Sequence, residues 1–418
     1  MTSDAAPAER LAYVGLAWQA NHDVQPVGLL KLVRHGVMES GEFAYGRRFL
    51  QTPNAQPLNP EHLPLRDAVF VLPERRLRDG GAMPLSLRDA LPDAWGRKVL
   101  EAQQGRAVSD LDALLLTNDD RIGAMVFSET LPIQTDVPPA DILLLPDLAE
   151  AARHLEAGLA VTPRMQQLLR GGASLGGARP KATFVHEGRR FIAKFASMGD
   201  EHDMEVVEAA TLGMASACGI TVPPFQLREL VGGHALLVAR FDRAGPISDE
   251  QRWHYLSASA LLNVPYESSD GSYVELAQTL RRISAKPEQD VTELFRRMVF
   301  NLVAGNSDDH VKNHGVLHQG QGVWLLAPAF DLVAQLNSHT GYQELAILPG
   351  QRASSLALAR EAAPHFGLSS TSAAHIIQSI GQTVSTQAHL AITSSGGSPA
   401  LARRVTAFMA QQAERIAA

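Results

Sequence analysis

The run 301–315, "NLVAGNSDDHVKNHG", sets a carboxylate, Asp308, five residues ahead of a carboxamide, Asn313. A loop with that separation can turn one oxygen toward a hydroxyl awaiting deprotonation. It can turn another toward a metal held on phosphates, which is what phosphoryl transfer asks of its catalytic loop. The spacing is common by chance, so it carries weight only if the other parts of such a site follow in order.

Four further stretches supply those parts. In "FIAKFA", strand alternation puts Phe191, Ala193 and Phe195 on one face and Lys194 on the other beside Ile192, a cation for α- and β-phosphate oxygens. Taken alone, Lys194 reads more readily as an exposed edge-strand lysine. Glu208, at the margin of the next helix's apolar face, can orient it, with Glu205 one turn earlier as the competing partner. Before the lysine lies the glycine-rich "RGGASLGGARPKA", residues 170–182, which is neither a Walker A sequence nor a G-x-G-x-x-G fingerprint. Backbone amides of Gly176 and Gly177 suit a phosphate, Arg179 and Lys181 supply charge, and Ser174 is a nucleophile beside the γ-phosphate. A surface loop is the plain alternative.

In "ALLVARFDR", residues 235–243, the backbone around Ala239 and Phe241 suits an adenine edge and Asp242 a ribose; a salt-bridged strand end is the plain reading. "GVLHQGQGVWLLAPAFDLV" reads as a hairpin whose second strand delivers Asp331, a second metal ligand, although such an aspartate is otherwise a cap or turn residue. His310, in the catalytic loop, is a further nucleotide-contact candidate. A rival reading pairs His310 with His314, four residues on, and with Asp308 or Asp309, as a transition-metal site of a hydrolase. The polar run "GNSDDH" and Gly315 indicate a loop there, and no third ligand group has partner spacing.

The elements that must position these groups change character along the chain. Residues 11–51 read as β structure, and "LSLRDALPDAWGRKVLEAQQG" as a helix ending at Gly105. A Pro-rich passage around Pro132, Pro138, Pro139 and Pro146 reads as a connection. "ATFVH" and "RRFIAKFA" are strands joined by a Glu187-Gly188 turn. A helix follows from about Asp203 to Gly219, and "HALLVARF" is another strand. From about 250 the pattern is mostly helical; "DVTELFRRMVFNLVAG" has one apolar face and places Asp290 and Glu293 in capping-box positions. The expected fold is α+β, a β-rich lobe followed by a mostly helical lobe, behind an additional N-terminal β-rich domain. The expected divisions fall at 1–110, 111–245 and 246–418.

Composition narrows the class. With 418 residues the chain can hold two or three domains, and 45% hydrophobic with 19% charged residues describes a globular protein. A net charge of −7 argues against DNA binding driven by this chain's own electrostatics, although Arg75, Arg76 and Arg78 form a local basic group. The single cysteine, Cys218, permits no intrachain disulfide. No apolar run nears the ~18 residues of a membrane span, and "MTSDAAPAER" is not a signal-peptide pattern. A cytoplasmic protein that does not meet the membrane is expected.

In order, "SLGGARPK", "FIAKF", "ARFDR", "NSDDHVKNHG" and "AFDLV" resemble the HipA family, the serine/threonine-kinase toxins of bacterial toxin–antitoxin modules. "PLSLRDALPDAWGR" and "DDRIGAM" extend the resemblance into the N-terminal region. The resemblance implies a kinase-like two-lobed fold using ATP and Mg2+. It implies Asp308 as general base, Asn313 and Asp331 as magnesium ligands, Lys194 as the phosphate-binding lysine and Glu208 as its partner. It further implies Asp242 and the backbone near Phe241 at the nucleoside, and Ser174 as a site of autophosphorylation that switches the enzyme off. The implied partner is a small HipB-like helix-turn-helix antitoxin through which DNA is reached, and the implied substrate a translation factor, aminoacyl-tRNA synthetases among them. Two departures stand out: Asp309 occupies a position where several relatives have Gly, and Ala173 precedes Ser174. A silent pseudokinase acting as co-repressor, or a small-molecule phosphotransferase, are the alternatives on the same fold.

Overall fold

The computed structural model describes residues 8–19, 24–135, 144–169, 177–266, 268, 270–320, 322–337 and 340–417. The chain divides into two compact units. One comprises Met1–Arg190, Asp242–Leu256 and Leu317–Val323, the other Phe191–Phe241, Ser257–Val316 and Trp324–Ala418. Strands dominate the N-terminal region and helices the C-terminal part, an α+β arrangement.

In the first unit, β1 (Ala8–Leu16), β2 (Gln25–His35) and β3 (Met38–Tyr45) realise the three apolar runs of the N-terminus. With β4 (Phe70–Arg76) and β5 (Met125–Ser128) they form an antiparallel sheet in the order β4-β3-β2-β1-β5. Its buried face carries Val14, Leu30 and Phe43, and Phe43 meets Tyr45 edge-on at 5.1 Å. The expected helix across residues 85–104 is two pieces, Leu85–Arg88 and Ala94–Gln104. Pro92 lacks an amide hydrogen and disfavours helical backbone at Leu91, which breaks the run. Gly105 ends the second piece at φ 65°, as its position suggests. After β6 (Lys181–His186), Glu187 and Gly188 both have positive φ, 48° and 71°, the backbone of a two-residue hairpin turn.

In the second unit, Phe191–Phe195 of β7 (Arg189–Phe195) run antiparallel to β9 (Gly233–Ala239), which also pairs with β8 (Phe225–Leu230). The helix Met204–Ala217 is capped by Asp203, which accepts from the Val206 amide at 3.2 Å, and packs on the helix Ser370–Ser394. The central helix of this unit, Pro287–Ala304, buries Val291, Leu294, Phe295, Met298, Val299 and Leu302 against the helices Tyr273–Ile283, Ser370–Ser394 and Pro399–Ala417. It begins four residues earlier than the capping-box reading placed it, because Pro287 is preorganised for a first turn. Asp290 instead accepts from the Ser284 hydroxyl at 2.6 Å and the Leu326 amide at 2.9 Å, and Glu293 pairs with Arg297. Gly305 closes the helix at φ 72°, and a Cβ there would overlap the Phe408 ring of the last helix.

Candidate functional site

The lysine strand behaves as its alternation requires. Phe191, Ala193 and Phe195 are buried, whereas Ile192 and Lys194 face the other side, with Lys194 opposite Leu236 in the ladder. The Lys194 ammonium donates to Glu208 Oε1 at 2.5 Å and to Asp331 Oδ1 at 2.8 Å. Glu208, not Glu205, is therefore the carboxylate that reaches the lysine; Glu205 is buried in the first turn of the same helix. Burial alone would drive the proton off Lys194, but the charges of Asp331 and Glu208 outweigh it and hold the ammonium.

Asp331 arrives as the hairpin reading expected. The strands Gly315–His318 and Trp324–Leu326 are joined by a turn in which Gln319 N–H donates to the Val323 carbonyl at 3.1 Å, and Ala327 N–H donates to the Gly315 carbonyl at 2.9 Å. Asp331 itself has φ 58°, a left-handed conformation that an aspartate tolerates better than most residues. Its side chain is 44% exposed, against 7% for Glu208.

The catalytic-loop candidates lie in the same unit. Asn313 Nδ2 donates to the Asp308 carbonyl at 3.1 Å, so the two side-chain-bearing positions are fixed to each other. Burial lifts the Asp308 carboxyl above the ordinary aspartate range. His310 opposes that rise, while the charges of Asp331, Glu344 and Asp309 add to it. Lys194, Glu208, Asp331, Asp308 and Asn313 are thus connected by bonds or by field. In that set one ammonium stands against three carboxyl groups.

Asp309 has a different task from its neighbour. Its carboxylate is buried, accepts from the Tyr273 hydroxyl, and lies 2.9 Å from His314 Nε2. Tyr273 accepts in turn from Asn301 Nδ2 at 3.0 Å. Burial would raise the Asp309 carboxyl, yet the His314 charge and the bonds from His314 and Tyr273 hold it below its ordinary value. In this arrangement His314 turns its Nε2 to Asp309, which serves as a loop anchor. His310 meets Tyr266 edge-on at 4.6 Å and accepts from the Lys312 amide at its Nδ1. Among the described residues no group of three or more His, Cys, Asp or Glu side chains is arranged to hold a metal.

Other candidates are differently placed. Ser174 and Gly176 lie outside the described residues. Gly177, at φ 88°, gives its N–H to Asp93 at 2.8 Å, so the phosphate role foreseen for that amide meets a protein partner already in place. Lys181 is buried in the first unit. The Ala239 N–H donates to the Pro224 carbonyl at 2.8 Å and is not turned to a base edge.

Asp242 needs a correction. It is 1% exposed and accepts from the Gly123 amide at 2.7 Å and from Arg243 at 2.6 Å. It belongs to a buried knot with Arg190, Glu250, Arg121 and Arg252: Arg190 Nε lies 2.9 Å from Glu250, and Arg252 donates to the Gly123 carbonyl at 3.0 Å. The salt-bridged strand end describes it better than a ribose contact.

One residue escaped sequence reasoning. Phe330, immediately before Asp331, stacks on Phe241 with ring centroids 5.2 Å apart at 29°. An aromatic adjacent to the aspartate that is a candidate metal ligand was the available signal.

The comparisons bear on the family and on the fold. The sequence matches the HipA N-terminal domain over residues 20–128 and the HipA-like C-terminal domain over residues 173–388. Two proteins of Sinorhizobium fredii strain NGR234 are similar to it. "Putative kinase Y4mE" is 31% identical over 337 residues, 75% of this chain and 76% of its own. "Putative kinase Y4dM" is 29% identical over 143 residues, 31% of this chain and 34% of its own. Among solved structures, the Shewanella oneidensis MR-1 HipA, HipB and operator DNA complex aligns with TM-score 0.69 at 16% identity, covering 97% of this chain and 96% of that one. That likeness speaks to the fold. No helix among the described residues is long and apolar enough to cross a membrane. With both family domains matched in order and a relative aligned over most of its length, this chain belongs to the HipA family.

Proposed function

We propose that the chain is an ATP- and magnesium-dependent protein serine/threonine kinase, the toxin of a HipA–HipB-like module. The observation that carries this reading is the Lys194 ammonium bridging Glu208 and Asp331 in the unit that also raises the Asp308 carboxyl. In this reading Lys194, oriented by Glu208, pairs with the α- and β-phosphates. Asp308 accepts the proton of the acceptor hydroxyl while its oxygen bonds the γ-phosphorus, the β–γ bridge breaks and ADP leaves. A carboxyl lifted above its ordinary range is a better base for that proton.

Asn313 and Asp331 would hold magnesium, which neutralises charge on the phosphates. The fit is good on two counts. Magnesium commonly takes one or two protein oxygens and completes its shell from phosphate and water. The excess of carboxyl groups over ammonium in the cluster also favours a cation. Phe241 and Phe330 offer a stacked apolar ledge for a base. His310 lies in the same loop and stays a nucleotide-contact candidate. Gly177 and Lys181 toward the phosphates, and autophosphorylation of Ser174 as an off-switch, rest on the family resemblance. So does a substrate in the translation machinery. A HipB-like antitoxin, with DNA reached through it, is favoured by the solved HipA–HipB–DNA neighbour.

The test is transfer of labelled phosphate from ATP with magnesium into a cell lysate, wild type against Asp308→Asn. Loss of ~10²–10⁴ in rate with an unchanged melting temperature is expected. Near-wild-type transfer by the variant would remove Asp308 from its role. ATP binding without transfer by the wild type would favour the silent co-repressor, and label confined to small molecules the other phosphotransferase.

A further inference from the structure

The central helix Pro287–Ala304 buries mostly apolar side chains, yet one stripe of it is polar. Asp290, Glu293, Arg297 and Asn301 follow at steps of three, four and four, which puts them on one face. Arg297 and Asn301 are each 1% exposed. Burying a guanidinium is costly unless its bonds are made, and an apolar side chain of similar volume often packs in its place at no loss of stability. What a guanidinium does here therefore turns on where its bonds lead.

They lead to the run that delivers Asp331. Arg297 Nη2 donates to the Ala327 carbonyl at 2.8 Å, a short way before that aspartate. Arg297 also holds Glu293, donating from Nε at 3.1 Å and again from Nη2. Glu293 in turn accepts from the Thr221 amide at 3.2 Å and the Thr221 hydroxyl at 3.0 Å. The Thr221 carbonyl then accepts from the Ala329 amide at 2.8 Å. Asp290, on the same face, takes the Leu326 amide at 2.9 Å. Leu326, Ala327 and Ala329 are thus all held from one helix face. Every one of these groups lies within the second unit, as do Lys194 and Asp331. Asp331 leaves the run at φ 58°, a left-handed backbone that a non-glycine residue keeps only where its surroundings hold it.

We infer that Arg297 is a positioning residue for Asp331: directly at Ala327, and through Glu293 and Thr221 at Ala329, it sets where the Asp331 carboxylate meets Lys194. The consequence for magnesium rests on the kinase reading; the positioning rests on these bonds alone.

The experiment, on the full chain, follows amide hydrogen exchange at Ala327 and Ala329 together with the magnesium concentration that gives half-maximal phosphate transfer from ATP. Arg297→Met, unbranched and without donors, should speed exchange at both amides by ~10–100-fold, as for loss of a hydrogen bond to a charged group. Amides of the helix Ser370–Ser394, which follow global unfolding, should change less. The half-maximal magnesium concentration should rise ~10–100-fold, the cost of losing a group that orients a metal ligand. A smaller folded fraction would lower the rate and leave that concentration where it is. Arg297→Lys keeps the charge without the planar fork. It should move both readouts the same way by less, and it serves if Arg297→Met fails to fold. Asn301→Leu is the comparison. It removes another buried polar group of the stripe, the donor to Tyr273 at 3.0 Å, and should leave Ala327 and Ala329 in step with the Ser370–Ser394 helix. Exchange that stays in step with that helix in the Arg297 variants overturns the positioning. Equal local acceleration by Asn301→Leu takes the role away from Arg297. Faster local exchange with an unmoved magnesium concentration overturns the consequence for the metal. A wild type that transfers no phosphate overturns the kinase reading and that consequence together, while exchange still decides the positioning.

Discussion

Each unit of the molecule gathers acidic and basic side chains, and the two gatherings are built on opposite plans. In the first unit, Asp119, Asp120, Asp242 and Glu250 meet Arg121, Arg190, Arg243 and Arg252, four carboxylates against four guanidiniums, with ion-paired side chains at most 6% exposed. In the second, Lys194 meets Glu208 and Asp331, the charge of Asp331 bears on Asp308, and Asp331 stands 44% exposed. Burying a charge costs several kcal/mol unless a partner compensates it. A balanced, sealed knot therefore serves to fix backbone geometry. A cluster with surplus negative charge and one open carboxylate is suited to receive a cation and release it.

The comparison breaks most decisively at Asp242. Asp242→Ala leaves Arg243 short of its closest carboxylate inside the knot, and should cost ~3–5 kcal/mol in denaturant unfolding. The ATP constant of the folded fraction should not move. A variant that is stable but weak for ATP would return Asp242 to the nucleotide and dissolve the distinction between the two plans.

A smaller effect is expected at Asp309, a sealed group within the open unit. Replacing it with asparagine should cost ~1.5–3 kcal/mol at neutral pH through its bonds to Tyr273 and His314. The pH dependence has a definite sign. The folded carboxyl lies below its unfolded value of ~3.9, so its stabilisation is complete above that pH and is lost as pH falls through the folded value. Wild type should therefore lose stability more steeply than Asp309→Asn in acid titrations below about pH 4. Equal slopes would mean that Asp309 titrates alike folded and unfolded.

The mildest change is Phe330→Ala. It removes one ring of the ledge proposed for the base, and losing a base–ring contact of ~0.5–1.5 kcal/mol should weaken ATP binding up to ~10-fold. Equal weakening of binding for ATP and for inorganic triphosphate would show that the ledge does not carry the base.

What could be read beforehand divides along similar lines. Local rules sufficed where one element decides the outcome: the alternation around Lys194, the positive-φ turn at Glu187-Gly188, the helix end at Gly219 and the hairpin before Asp331. They chose poorly where distant segments compete for a group. Asp290 and Glu293 suit a capping box in sequence but find Ser284, Leu326 and Arg297 instead. Asp242 has the chemistry to hold a ribose, yet the Gly123 amide and Arg243 hold it first. Asp93 likewise has an N-cap's identity and place, while its carboxylate answers to Gly177. No periodicity announces partners of that kind, because the bond depends on how two remote stretches come to lie side by side.

The glycine at 305 sets a quiet condition on everything downstream. With the Phe408 ring lying where its methyl group would be, and Gln412 donating to the Leu302 carbonyl at 3.0 Å, the closing helix is wedged under the start of the loop that carries Asp308. Substitutions on that helix, remote from any phosphate, should register in the alignment of Asp308 before they register in the stability of the fold.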